Sequence, residues 1–74
     1  MDQGLLWFDD DPKLPVSAKL ERAAHRYLVK FGRPPTLCYV HPQTISGVEG
    51  LPKGLRIVQR TSILRNCFWL GVGS

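Results

Sequence analysis

Past Asp11 the chain contains no aspartate, and negative charge returns only at Glu21 and Glu49. Phosphoryl transfer to an aspartate at a later strand end is thereby excluded. Cysteine is scarce as well. Cys38 and Cys67 lack CxxC spacing, and His25 and His41 stand at no finger-like interval from them, so a zinc finger is excluded. Apolar runs such as Leu5 to Phe8 fall far short of the ~7–15 residues of a signal core or the ~20 of a membrane span. With an MDQG opening that carries no basic residue, a cytoplasmic protein is expected. Internal repeats and low-complexity tracts are missing, as are an RNP-type aromatic motif and a helix-turn-helix pair, which leaves sequence-specific reading of bases without support.

What is there describes an ordinary globular chain, 43% apolar and 22% charged, with seven aromatic residues to build a core. Residues 1–74 make one small domain. A domain of this size buries only about 60% of the surface that its unfolded chain exposes, so its stability margin is thin and a partner or oligomer is expected. Both cysteines lie inside apolar stretches and read as buried free thiols, since unpaired cysteine behaves as a small hydrophobe. Neither has the local setting of a nucleophile.

Charge is unevenly spread. Residues 1–12 carry Asp2, Asp9, Asp10 and Asp11 with no Lys or Arg, a net −4, whereas residues 13–74 set ten Lys or Arg against two Glu, a net +8. An acidic head therefore sits on a basic body that can attract nucleic acid, an acidic protein or the head itself.

Leu5 to Phe8 reads as a strand buried on both faces. Pro12 and Pro15 hold the following connection extended. Ser17 to Phe31 is the most secure element, a helix with Ser17 as its expected N-cap, Gly32 as its left-handed stop and Pro34 beyond. At ~100° per residue, Val16, Leu20, Ala23, Ala24, Tyr27, Leu28 and Phe31 share one broad apolar stripe, and Lys19, Arg22, Arg26 and Lys30 form a second stripe along its flank. Thr36 to His41 suits an interior strand, and residues 43–54, with three glycines, read as a long loop. Leu55 to Arg60 and Cys67 to Val72 read as two more strands, with Arg56 and Arg60 on one face of the first.

The order β-α-β-β-β predicts an α+β fold, with one amphipathic helix packed on one face of a three- to four-stranded mixed sheet. A right-handed parallel crossover would join the first two strands, and the last strands would continue as an antiparallel set. If Trp7, Cys38, Val40 and Trp69 share the open face, an exposed apolar patch results, and such patches mark interfaces.

LLWFDDDP, followed by an amphipathic helix and a strand, resembles the opening of the response-regulator receiver domain. In that family, acidic residues after the first strand hold Mg²⁺ beside a phospho-accepting aspartate. The resemblance implies Asp9, Asp10 or Asp11 as metal ligands. It covers at most the first forty residues, the later aspartate is missing, and the chain is too short for a five-stranded fold.

Two functions remain from the residues themselves. The first is a non-enzymatic binding module that needs no cofactor, associates with itself through the open sheet face, and meets a nucleic-acid backbone or an acidic protein through Lys19, Arg22, Arg26 and Lys30. Lys53, Arg56, Arg60 and Arg65 could extend that surface. The second is a metal-dependent phosphoester hydrolase built on Asp9 to Asp11 and His41, if the first two strands are parallel neighbours whose ends release these residues at one sheet edge. In the first reading the aspartates end a strand and keep the next turn in water.

Overall fold

The computed structural model describes residues 4–73; Asp2, counted above in the acidic head, lies outside them. The elements run β1 (Leu5–Phe8), α1 (Val16–Phe31), β2 (Leu37–Val40), α2 (Pro42–Ile45), β3 (Arg56–Gln59) and β4 (Cys67–Gly71). They form the expected small α+β domain, one long helix against a four-stranded mixed sheet.

Helix α1 begins one residue earlier than its sequence suggests, and Ser17 is not its cap. Pro15 occupies the N-cap with extended backbone (φ −68°, ψ 155°), and no side chain caps the first turn. The Pro15 carbonyl accepts from Ala18 N at 3.1 Å and from Lys19 N at 3.2 Å, so proline's fixed φ sets the start and leaves Ser17 inside the first turn. At the far end Gly32 takes the left-handed conformation (φ 76°), and its N–H donates to Leu28 O at 2.8 Å. Leu20, Ala23 and Tyr27 carry the buried face. Leu28, placed in the apolar stripe by its spacing, is 41% exposed because it lies at the margin of that face.

The strand order is β1-β4-β2-β3. β4 runs antiparallel to both β1 and β2, and β2 pairs with β3 in parallel. Strands β1, β2 and β3 therefore point the same way, and the last strand of the chain fills the gap between the first two. This corrects two expectations. β1 and β2 are parallel but not neighbours, and β3 does not join an antiparallel set. β4 wins the interior place because it is apolar on both faces: Phe68 and Leu70 are fully buried on one, Cys67 and Trp69 lie on the other.

Register assigns the faces. Trp7 and Val40 both stand opposite Phe68, and Cys38 stands opposite Leu70 and Ile57, so these side chains share the face under α1. Of the four residues expected on the open face, only Trp69 lies there. β1 is likewise not buried on both faces: Leu5 and Trp7 pack toward the core, while Leu6 and Phe8 are 62% and 61% exposed. It is an edge strand, and only its inner side is covered.

Burial of a side chain such as Phe68 or Leu70 contributes roughly 1.5–3 kcal/mol, a large share of what so small a domain can hold in reserve. The glycine-rich stretch after β2 is pinned rather than loose. Pro42–Ile45 forms a helical turn, Ile45 is buried, and Val48, Leu51 and Leu55 pack against the core. This segment supplies the crossover that two neighbouring parallel strands require.

Candidate interaction surfaces

The aspartates after β1 build turns. Asp11 N donates to Asp9 Oδ1 at 3.1 Å, and Lys13 N donates to Asp11 Oδ1 at 2.9 Å, two successive side-chain-closed turns that redirect the chain toward α1. Asp9 N donates to Asn66 O at 2.9 Å, and Asn66 adopts a left-handed φ of 65° that asparagine tolerates. The acidic turn is thus tied to the start of β4. Asp10 is exposed, and neither turn uses its side chain.

His41 leaves the same sheet edge as the aspartates but not beside them. With β4 between β1 and β2, the two strand ends lie about 10 Å apart at ~4.8 Å per strand spacing. Its Nδ1 accepts from Gln43 N at 3.0 Å, which caps the short helix α2. Among the described residues, no group of three or more His, Cys, Asp or Glu side chains is close enough to share a metal ion.

The basic flank of α1 is shorter than its spacing implies. Arg22, Arg26 and Lys30 are exposed, but Lys19 is only 6% exposed. Lys19 directly precedes the fully buried Leu20, at the rim of the packed face, where a lysine is tolerated because its aliphatic stem can pack. Lys30 lies 5.3 Å from the Phe31 ring centroid. Trp7 and Leu14 join Arg22, Arg26 and Val29 around a broad, shallow depression of about 730 Å³ along this flank.

The open sheet face holds what period-two reading of the separate strands did not assemble. Leu6, Trp69, Tyr39 and Val58 stand in register across all four strands. Tyr39 and Trp69 meet at the centre with ring centroids 5.5 Å apart and planes inclined by 34°. The Trp69 indole lies over Gly4, where any Cβ would overlap it. Toward β3, Arg56 and Arg60 flank Tyr39 and Val58 in a groove of about 370 Å³, and the Arg60 guanidinium sits 5.0 Å from the Tyr39 ring centroid. Arg56, Val58 and Arg60 recur at every second residue, so this signal was present in the sequence; its aromatic partners come from two other strands.

Comparison with protein-family models, curated proteins and solved structures found no match to this chain.

The thiols are unsuited to nucleophilic chemistry. Cys38 is fully buried under α1, and that burial pushes its pKa up to about 12. Cys67, 7% exposed, is also unpaired.

Proposed function

We propose that this domain is a non-enzymatic binding module that associates with itself through the open sheet face and presents the basic flank of α1 to a phosphate backbone. The observation that carries this reading is the exposed apolar face itself. Leu6 and Phe8, more than 60% exposed, border Trp69, Tyr39 and Val58 on the side of the sheet that α1 leaves bare. A contiguous apolar surface of this kind marks an interface, and a 74-residue chain gains the most from covering it.

The two surfaces do not compete. α1 lies on the far side of the sheet, so association through the open face leaves Arg22, Arg26 and Lys30 pointing outward on each copy. Three cations along a helix can follow successive phosphates, and each phosphate contact adds to the salt dependence of binding. An acidic protein segment offers the same charge and is the other partner this flank suits. The two unpaired buried cysteines suit a reducing compartment and support a cytoplasmic domain as part of this reading.

Fluorescence anisotropy of a labelled generic oligonucleotide over a salt series tests the flank. Binding should weaken steeply with salt, and Arg22→Glu with Arg26→Glu should abolish it. Lys19→Gln should change it little. The absence of binding at low salt removes the nucleic-acid part of the reading and leaves an acidic protein as the partner.

A further inference from the structure

At one end of the sheet the two outer strands run out into opposite charges. Asp9, Asp10 and Asp11 follow directly on β1, the outer strand at one side; Arg60 follows directly on β3, the outer strand at the other. Because β1 and β3 run in the same direction, both charged groups stand at the same end of the sheet. Three strand spacings of ~4.8 Å, about 14 Å, keep them apart within one chain. Between the two margins lies the row Leu6, Trp69, Tyr39 and Val58.

From this pattern we infer that a second copy of the chain packs open face to open face about a two-fold axis parallel to the strands, with the acidic turn of each copy set against Arg60 of the other. The inference rests on the reading of the open face as self-associating and specifies its geometry.

A two-fold axis lying between the sheets and along the strands exchanges left and right while preserving strand direction. It therefore lays β1 of one copy over β3 of its partner and brings the Asp9–Asp11 end over the Arg60 end, twice per dimer. The alternative in-plane axis, perpendicular to the strands, lays β1 and β3 over their own copies in reverse, sets Arg60 of one copy over Arg56 of the other, and among the described residues gives no charge an opposite. The charges thus select one packing of two that the apolar row alone would allow. That is the usual contribution of peripheral charge to an interface, which sets register and orientation more than raw affinity. Sheets stacked in this way keep their strands within about 30° of each other, as in aligned β-sandwiches. A face four short strands wide falls at the small end of stable interfaces, so the dimer should be concentration dependent.

The test uses the full chain and two exposed positions. Sedimentation equilibrium gives the dimer Kd of the parent, of Arg60→Glu and of Asp10→Arg, with amide spectra showing that each variant is folded. Each single change should weaken the dimer by about tenfold or more, because it puts like charges at positions 10 and 60 in both pairs at once. An equimolar mixture of the two variants should recover association to within about threefold of the parent, since positions 10 and 60 then again carry opposite charges in both pairs across the axis. A chain that stays monomeric to about 1 mM overturns the self-association reading and this inference with it. A dimer whose Kd moves in neither variant leaves self-association standing and overturns this geometry, as does weakening without recovery in the mixture. Stacking of a single-stranded oligonucleotide on Trp69 and Tyr39, detected by tryptophan quenching with no dimer, would assign the face to nucleic acid and also overturn it.

Discussion

Arg60 holds its guanidinium 5.0 Å from the ring centroid of Tyr39, while its backbone N–H donates to Val40 O at 2.9 Å. The backbone bond continues the β2–β3 ladder one residue beyond the strand, and the ring contact keeps the cation over the open face instead of free in water. Such a contact is worth roughly 0.5–1 kcal/mol at an exposed site. Its larger consequence is placement, because a fixed cation at one margin of an apolar face gives that face a direction.

Trp69 keeps its place on the same face because Gly4 has no side chain. Gly4→Val should force the indole off the sheet and destabilise the domain by about 1–3 kcal/mol, the usual range for overfilling a packed site. Near-ultraviolet circular dichroism and the Trp69 indole N–H resonance report the displacement. Unchanged spectra and stability would mean that the indole does not need that space.

Ser17 lies within the first turn and caps nothing. Ser17→Ala should therefore leave stability unchanged within about 0.5 kcal/mol, or raise it slightly, because alanine has the higher helix propensity. A true N-cap serine would cost about 0.5–2 kcal/mol on the same change. Chemical denaturation separates the two outcomes.

Much of the layout was legible from residue type and spacing. Gly32 and Pro34 mark the end of α1, and the apolar run Leu5 to Phe8 gives β1 its bounds. The start of α1 is less plain, because Ser17 is the better cap by residue type while Pro15 holds the boundary. Strand order was not legible: nothing local in Cys67 to Gly71 says that it enters between β1 and β2, since pairing there depends on partners about 30 and 60 residues away. Face assignment failed with it. Trp7 and Cys38 look equally apolar in either direction, and only their register against Phe68 and Leu70 turns them under the helix. The burial of Lys19 is hidden for a similar reason, because helical spacing marks a flank but does not fix where burial stops.

Cys38 links burial to pH. Its thiol titrates near 12 in the folded chain against 9.0 for the unperturbed group, so the folded state holds the proton more tightly. The stability this contributes is fully present at neutral pH and is lost as pH rises from about 9 towards about 12. Cys38→Ala should show a shallower decline over that interval in urea denaturation. Iodoacetamide labelling of Cys38 in the native state at pH 8 should also be far slower than in urea; equal rates would place the thiol in solvent.

His41 ends β2 by capping α2 through Nδ1. His41→Ala should lower stability by about 0.5–1 kcal/mol through loss of that cap, and His41→Asn should recover most of it. The same position tests the hydrolase reading. Addition of Mg²⁺ or Mn²⁺ should leave the amides of Asp9, Asp10, Asp11 and His41 unmoved as a group, and a joint, saturable shift of all four would revive a metal centre at the sheet edge.

The open sheet face is the central claim, and two-dimensional NMR across a dilution series tests it most directly. Between about 1 mM and 20 μM, resonances of Leu6, Phe8, Tyr39, Val58 and Trp69 should shift together along one binding curve, while those of Arg22, Arg26 and Lys30 stay fixed. A spectrum that does not change with concentration, with the mass of a single chain by light scattering throughout, would contradict it.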